Sequence, residues 1–151
     1  MRNITSFVGP KRKFDKYNSE LKEQLKLIEA ELFAEELYQE LALMSTMAMG
    51  NKEQLTEKAA LSFESLKKLM KEYDSYSIRI SYYRVGLMYY NNAGTFSNSI
   101  SLALLAEQYF NDNPQFYRRS RMGEMSLNKL YGALHLRDYT NGSQFAEECK
   151  K

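Results

Sequence analysis

Apolar residues recur every three or four positions along most of this chain, with Glu and Lys between them. This spacing places apolar side chains on one face of an α-helix. The first such stretch runs from about residue 15 to Met47. It exceeds the usual helix length of roughly 8 to 20 residues, so we expect it to kink or to be two helices. Its apolar positions are Leu21, Leu25, Ile28, Leu32, Leu37, Leu41 and Met44.

Three turns interrupt the helical pattern at nearly constant spacing. They centre on Gly50, Gly94 and Arg137, which lie 44 and 43 residues apart. A fixed period of this length is the signature of stacked helical hairpins. The pattern therefore predicts an all-α fold of about six helices in three antiparallel hairpins. The predicted hairpins cover about residues 15–73, 75–112 and 114–151.

The chain is predicted to form one domain, because 151 residues are enough for a single hydrophobic core. Residues 1–13 contain Gly9-Pro10 and a basic run without periodicity, so we expect an irregular basic lead-in before a domain over 14–151. The sixth helix is predicted to be short. It must therefore pack on the fifth helix or continue in a longer protein.

Each later helix has a residue that can cap its first turn. Asn51 and Gln54 have the spacing of a capping box, and Pro114 after Asn113 is typical of a helix start. The predicted caps of the second to sixth helices are Asn51, Asp74 or Ser75, Thr95 or Ser97, Asn113, and Asn141. The predicted apolar face of the fifth helix comprises Phe116, Ser120, Gly123, Leu127, Leu130 and Leu134.

Two tyrosine pairs lie seven residues apart on the third predicted helix. Tyr82 and Tyr89 continue the apolar face of that helix, so we expect them in the core. Tyr83 and Tyr90 then face elsewhere. Because aromatic side chains are enriched in interfaces, we expect these two in a binding surface.

The turn-aligned sequence follows a known repeat pattern between residues 83 and 114. The residues that carry the match are Gly86, Tyr89, Gly94-Thr95-Phe96, Ala106 and Pro114. With these residues the segment resembles a tetratricopeptide repeat (TPR), a helix-turn-helix unit. Residues 130–149 look like the same turn with the start of a second helix, whereas residues 32–73 match only in pattern.

The chain departs from the TPR pattern in three respects. Its period is longer than the roughly 34 residues of that family, Ser99 and Gly142 replace the usual Ala after the turn, and Leu130 occupies the position where a Gly is expected. HEAT-like repeats, at roughly 40 to 47 residues, match the period better and the turns worse. Both kinds of helical repeat therefore stay open.

The TPR resemblance implies a right-handed superhelix whose first helices line a groove for peptides or partner proteins. Tyr83 and Leu87 occupy the places where some members carry the Lys and Asn that clamp a terminal carboxylate, so an aromatic-lined groove is expected instead. Leu127 and Leu134 are also expected to face this groove. The predicted partner-binding residues are Arg79, Tyr83, Leu87, Tyr90, Arg118, Arg121, Asn128, Tyr131 and His135. Exposed hairpin ends also predict a homodimer.

Composition and charge narrow the classes of function. The net charge is +2, so no overall field attracts nucleic acid, and the basic cluster at Arg118, Arg119 and Arg121 has no recognition motif around it. One Cys and one His cannot form a usual zinc site. We found no catalytic motif and no apolar run near the roughly 20 residues that span a bilayer. We therefore expect a cytoplasmic protein that is not an enzyme and needs no cofactor, metal or membrane.

The function predicted from the sequence is a protein or peptide interaction module, a TPR-like scaffold. The alternative is a sensory or regulatory segment of a larger signalling or transcription-control protein. In that case the effector domain lies outside this chain.

Overall fold

The computed structural model describes residues 8–47 and 51–150. Within these ranges the protein is all-α, which confirms the predicted fold class. Six α-helices and one short 3₁₀ turn make up the described part of the chain. They are α1 (Val8–Met47), α2 (Lys52–Glu72), α3 (Tyr76–Ala93), α4 (Phe96–Asp112), the 3₁₀ turn Pro114–Phe116, α5 (Arg119–His135) and α6 (Tyr139–Glu148).

The first helix is one uninterrupted element of 40 residues, which corrects two expectations. It does not divide into two helices, and it begins at Val8 rather than near residue 15. Pro10 lies in its first turn, where the missing amide hydrogen costs no intrahelical hydrogen bond. The residues from 8 to 13 are therefore helical and not an irregular lead-in. At 1.5 Å per residue α1 is about 60 Å long.

The apolar residues of α1 lie on two opposite faces, whereas the sequence predicted one. Ala30, Ala34, Leu37 and Leu41 are buried against the other helices. Phe14, Leu21, Leu25, Ile28 and Leu32 are exposed on the other face. The apolar spacing from Leu32 to Leu37 is five residues instead of three or four. This step places Leu37 about 140° around the helix from Leu32, on the buried face.

The second and third turns share one geometry. Gly94 and Arg137 both have a positive φ, of 74° and 58°, and each ends its helix in the left-handed conformation. In both turns the next amide bonds to the carbonyl five residues back, at 2.9 Å from Thr95 N to Tyr90 O and from Asp138 N to Ala133 O. These are the hydrogen bonds of a Schellman motif. The turn predicted at Gly50 lies outside the described residues.

Two of the predicted caps are confirmed. The Asn51 side chain accepts a hydrogen bond from the Gln54 amide at 3.2 Å, and Ser75 accepts one from the Ile78 amide. Thr95 precedes α4 without a capping hydrogen bond from its side chain.

The caps predicted for the fifth and sixth helices are corrected. The Asn113 side chain donates to the Tyr109 carbonyl at the end of α4, so Pro114 begins only a 3₁₀ turn and α5 starts at Arg119. For α6 the cap is Asp138, whose carboxylate accepts a hydrogen bond from the Asn141 amide at 3.2 Å. A carboxylate at a helix N-terminus also interacts favourably with the helix dipole.

The core forms around α3, which contacts α1, α2 and α4. Its residue Gly86 lies against the Phe63 side chain of α2 and the Leu102 side chain of α4. A Cβ atom at this position would be 2.5 Å from Leu102 Cδ2 and 2.5 Å from Phe63 Cε2. Because no side chain fits there, Gly86 allows the second helices of two consecutive hairpins to pack against the same point of α3. The fifth helix packs on α4, and α6 packs on α5.

Candidate interaction surface

The outer face of α5 carries exposed apolar side chains. Leu127 is 61% exposed, Tyr131 46% and Leu134 53%, and His135 at the end of the helix is also exposed. We call these four residues the α5 surface. They lie on the side of the helix opposite the buried Met125, Lys129 and Ala133, as residues spaced by three and four positions do. The stripe predicted for this helix is therefore wrong about Leu127 and Leu134, which face outward.

Aromatic contacts hold one part of the α5 surface in place. The Phe96 ring, from the start of α4, stacks on the His135 ring with their centroids 4.2 Å apart. The Tyr131 ring contacts both, at 5.8 Å from Phe96 and 4.4 Å from His135. Two residues that the sequence placed in the binding groove, Tyr131 and His135, thus lie together. Their orientation is set before any partner arrives, which lowers the entropy cost of binding.

A shallow apolar groove between α5 and α6 continues this surface. It encloses a cavity of about 220 Å³. Leu134 belongs both to the groove and to the α5 surface, and Tyr139 at the start of α6 is exposed at its edge. The residues that line the groove are Leu130, Leu134, Tyr139, Gly142, Ser143 and Ala146.

Polar contacts join the first helices of the three hairpins beside the α5 surface. The Arg84 guanidinium on α3 binds both carboxylate oxygens of Glu124 on α5, with Nη2 to Oε2 at 2.9 Å, and it lies over the Tyr38 ring of α1. Burial works to lower the pKa of Arg84, but the hydrogen bonds and charge of Glu124 outweigh it and raise that pKa. Bidentate geometry fixes the angle between two planar groups, so this pair sets the register of α3 against α5.

Asn128 takes part in the same line of contacts. Its side-chain oxygen accepts a hydrogen bond from the Asn91 amide group at 2.8 Å, and its own amide group donates to the Glu124 carbonyl. The predicted role of Asn128 in partner specificity stays a prediction. In the structure its side chain links α3 to α5.

Two predicted groove residues on α3 are buried, and their assignment to an open groove is corrected. Tyr83 is 6% exposed and Leu87 2%. The Tyr83 ring contacts Tyr109 and Phe110 of α4. A helix that is covered on several sides has no single outward face, so Tyr83, about 100° around the helix from Tyr82, is also in the core.

The tyrosines expected in the core, Tyr82 and Tyr89, are only partly buried, as is Tyr90. All three rings contact the Phe63 ring of α2, with centroid distances of 4.8, 6.0 and 5.5 Å. Tyr90 is thus a core-packing residue with limited exposure, and a role in partner binding stays a prediction.

The predicted arginines lie at the other end of α5 and α3 and serve internal contacts. Arg79 pairs with Asp74 at 3.3 Å and lies over the Tyr109 ring. Arg121 lies over the Tyr76 ring and donates to the Phe116 carbonyl at 3.2 Å. Arg118 is exposed. Arg121 and His135 are fourteen residues apart on one helix, or about 20 Å, so one small ligand does not contact both.

Sequence reasoning missed a buried lysine between the last three helices. Lys129 Nζ on α5 is 2.8 Å from Glu107 Oε2 on α4 and 2.5 Å from Glu148 Oε2 on α6, and it lies over the Phe145 ring. Burial alone would lower the pKa of Lys129, yet the hydrogen bonds and charge of the two glutamates raise it. Lys129 therefore stays charged and joins α4, α5 and α6.

The spacing of the turns could have shown that Lys129 occupies a packed position. It lies 43 residues after Gly86, the same interval that separates Arg137 from Gly94. Both positions face two second helices at once. Gly86 leaves space for the apolar side chains of Phe63 and Leu102. Lys129 instead fills the corresponding space and pairs with the carboxylates of Glu107 and Glu148.

A larger cavity of about 310 Å³ adjoins the Lys129 cluster. Its walls combine apolar groups with the two glutamates that hold Lys129, so its acidic oxygens already have a cationic partner. Cys149, at its rim, is exposed and is the only Cys of the chain. The lining residues are Glu107, Tyr117, Arg119, Met122, Gly123, Ser126, Glu148 and Cys149.

Neither metal ligation nor membrane insertion is indicated in the part of the chain that the structure describes. We found no group of three or more His, Cys, Asp or Glu side chains in residues 8–47 and 51–150 that is arranged to hold a metal ion. No helix in these ranges combines the length and apolar character needed to cross a bilayer.

Comparisons of the chain with protein-family models, curated proteins and solved structures gave no match. The resemblance to TPR proteins thus depends on the sequence pattern alone.

Proposed function

We propose that this protein is a non-enzymatic interaction module that binds a protein or peptide, built as a TPR-like stack of three helical hairpins. The observation that carries the proposal is the α5 surface with the groove beside it. Several large apolar side chains are exposed side by side there, and such contiguous patches mark sites of protein interaction. A second group of stacked rings, formed by Tyr76, Tyr109 and Phe116, is partly buried, whereas Tyr131 and His135 are exposed.

The position of this surface in the stack suggests what binds to it. In helical-repeat proteins each hairpin covers the apolar face of the one before, and the last face needs a cap or a partner. The α5–α6 hairpin is the last one in the described residues, and Leu134 and Tyr139 are exposed on its outer side. We infer that the partner presents an apolar helix or an extended apolar segment, with Leu127 and Tyr131 as anchors.

Three features support a TPR-like rather than an unrelated helical arrangement. The second and third turns share their hydrogen bonds at an interval of 43 residues. Gly86 stands at a point of close helix approach, as the small position of the family requires. First helices also contact one another, since Arg84 of α3 reaches both Tyr38 of α1 and Glu124 of α5.

The test compares partners bound by the wild type, by a variant with Leu127→Glu and Leu134→Glu, and by a control with Leu61→Glu. Leu61 is as exposed as these residues but belongs to α2. Partners captured by the wild type are identified by mass spectrometry, purified and titrated against all three proteins by calorimetry. We expect the double variant to lose at least about tenfold in affinity, or roughly 1.4 kcal/mol, and the control to bind like the wild type.

Circular dichroism checks that all three proteins are equally folded. A partner that binds the double variant as tightly as the wild type, in the folded state, would remove the α5 surface from the proposal. Failure to capture any partner that binds after purification would count against the interaction function itself.

A further inference from the structure

The N-terminal half of α1 projects beyond the rest of the protein. Residues 11–26 are all exposed, and the first buried residue of the helix is Ala30. The exposed part, from Lys11 to Lys26, is about 24 Å long at 1.5 Å per residue. Isolated helices of this length are marginal in water, so a stable helix here requires packing against something else.

The exposed part of α1 carries a heptad pattern. Six positions alternate at intervals of four and three residues over 19 residues, which is the spacing of the two core positions of a coiled coil, and all of them except Asn18 are apolar. Phe14, Leu21 and Ile28 occupy one core position, and Asn18, Leu25 and Leu32 occupy the other. The five apolar members of this stripe are between 50% and 68% exposed. We call these six residues the α1 stripe.

The α1 stripe faces away from the body of the protein. At 100° per residue its centre lies about 190° around the helix from the centre of the buried residues Ala30, Ala34, Leu37 and Leu41. A second helix can therefore lie along the stripe as far as Leu32 without meeting α2 or α3.

We propose that the α1 stripe pairs with the same stripe of a second copy of this chain as a parallel two-stranded coiled coil. In a parallel pair Asn18 meets Asn18 of the other copy, and the two amide groups satisfy each other by hydrogen bonds. A single Asn at this core position is a known determinant of register and of the dimeric state. In the antiparallel register that opposes Leu21 with Leu25, Asn18 would face Ile28 and lose its hydrogen bonds.

The residues beside the stripe are compatible with a second copy. In a parallel pair Tyr17 faces Lys22 of the other chain, and Gln24 faces Glu29, so no like charges meet between Phe14 and Glu29. From Phe14 to Glu29 the helix carries three Lys and four acidic residues, so two copies have little net repulsion along the α1 stripe, and the basic run Lys11-Arg12-Lys13 precedes the stripe. The mixed charge beside the stripe argues against an anionic membrane surface as its occupant, because that requires a predominantly basic polar face.

The buried area predicts a dimer of moderate strength. Each of five partly exposed apolar side chains per copy contributes roughly 80 Å², or roughly 800 Å² for the pair. With the side-chain stems that flank the stripe, the interface reaches roughly 1,000 Å², the lower limit for specific association. We therefore expect the dimer to dissociate at micromolar concentrations.

Sedimentation equilibrium over a roughly hundredfold range of micromolar concentration tests the proposal. The wild type should change from monomer to dimer in this range. The variant with Leu21→Glu and Leu25→Glu should stay monomeric, with its association constant reduced at least about 100-fold. Phe33→Glu is the matched control, because Phe33 is 46% exposed on the same helix but lies about 100° from the centre of the stripe.

Disulfide trapping tests the parallel arrangement separately. In a Cys149→Ser background, Leu21→Cys should cross-link two copies under mild oxidation, since position 21 meets itself only in a parallel pair. Glu23→Cys in the same background faces outward and should not cross-link. Neither change touches a residue of the described core, and circular dichroism verifies that each variant is folded.

Four results would overturn the proposal. They are a wild type that is monomeric throughout the range, a trimeric mass, a dimer that persists in the Leu21→Glu and Leu25→Glu variant, and no cross-link through position 21. A persistent dimer would place the contact elsewhere, such as the α5 surface. The proposal is independent of the proposed partner site, because the α1 stripe and the α5 surface share no residue.

Discussion

Replacement of Gly86 by Ala tests how closely α2 and α4 approach α3. The new methyl group would lie 2.5 Å from Leu102 Cδ2 and 2.5 Å from Phe63 Cε2, far inside van der Waals contact. Both neighbours are buried, and the Phe63 ring stacks on Tyr82, so it has little freedom to move away. Overpacking of this kind costs about 1–3 kcal/mol, and the better helix propensity of Ala returns at most about 1 kcal/mol. We expect Gly86→Ala to lower the free energy of unfolding by about 1–2 kcal/mol.

Gly123→Ala is the matched control, because Gly123 is also inside a helix. A Cβ atom at that position has no atom within 4 Å. Only the propensity gain then remains, and we expect a stabilisation of about 0.5–1 kcal/mol. The two substitutions are chemically identical, so the difference of about 1.5–3 kcal/mol between them isolates the packing at Gly86.

Urea denaturation followed by circular dichroism measures both free energies of unfolding. The wild type and both variants are compared at one concentration low enough for all to be monomeric, since a dimer would add its own stability. Equal slopes with denaturant show that the unfolded states are comparable. If Gly86→Ala were as stable as Gly123→Ala, α2 and α4 would not converge on Gly86, and the packing that supports a TPR-like arrangement would be refuted.

Lys129→Met should lower the free energy of unfolding by about 2–4 kcal/mol in urea melts, because it leaves Glu107 and Glu148 close together without their cation; adding Glu107→Gln should recover part of this loss. Burial raises the pKa of Tyr83, so its contribution to the free energy of unfolding should be fully present below about pH 10 and be lost as the pH rises further. Urea melts at each pH measure the free energy of unfolding, and phenolate absorbance follows the ionisation of the tyrosines. Hydrogen bonds from Asn141 lower the pKa of Asp138, so its stabilisation should be complete above the usual carboxyl pKa and disappear in acid; Asp138→Ala should remove this acid dependence.

The helices and most of their ends could be predicted from the sequence because these features depend on local interactions. Asn51 and Ser75 cap their helices through hydrogen bonds within one turn, and Gly94 ends its helix through its own conformation. The start of α5 could not be predicted in this way. Asn113 has carbonyl groups of the preceding helix within reach, and its side chain bonds to Tyr109 instead of capping the next helix.

The faces of the helices were predicted less well, because a face is defined by what packs on it. An apolar period shows that residues share a side of a helix, but not whether one side or several are covered. Tyr83 was assigned to a surface because Tyr82 continued the apolar stripe, yet α4 covers Tyr83 as well. In α1 the reverse occurs, since the apolar residues of the α1 stripe follow the helical period and are nevertheless exposed.

Only the part of the candidate site that depends on local spacing could be predicted from the sequence. Tyr131 and His135 come together because they are one turn apart on α5 and both contact Phe96, and the first of these conditions is local. The TPR resemblance assigns Arg79 to the same groove, and Arg118 and Arg121 are added to it only as residues for partner specificity. The contacts that engage Arg79 and Arg121, with Asp74 and with the Tyr76 ring, depend on how separate helices meet.

The two exposed apolar surfaces belong to the first and last hairpins of the stack, and this arrangement has a consequence for binding. A dimer formed through the α1 stripe would carry two α5 surfaces, so a partner with two binding segments would engage both at a high effective concentration. Leu21→Glu with Leu25→Glu should then weaken binding of a two-segment partner by about 100-fold or more, while binding of a single segment stays unchanged. Equal effects on both partners would show that the α1 stripe itself contacts the ligand.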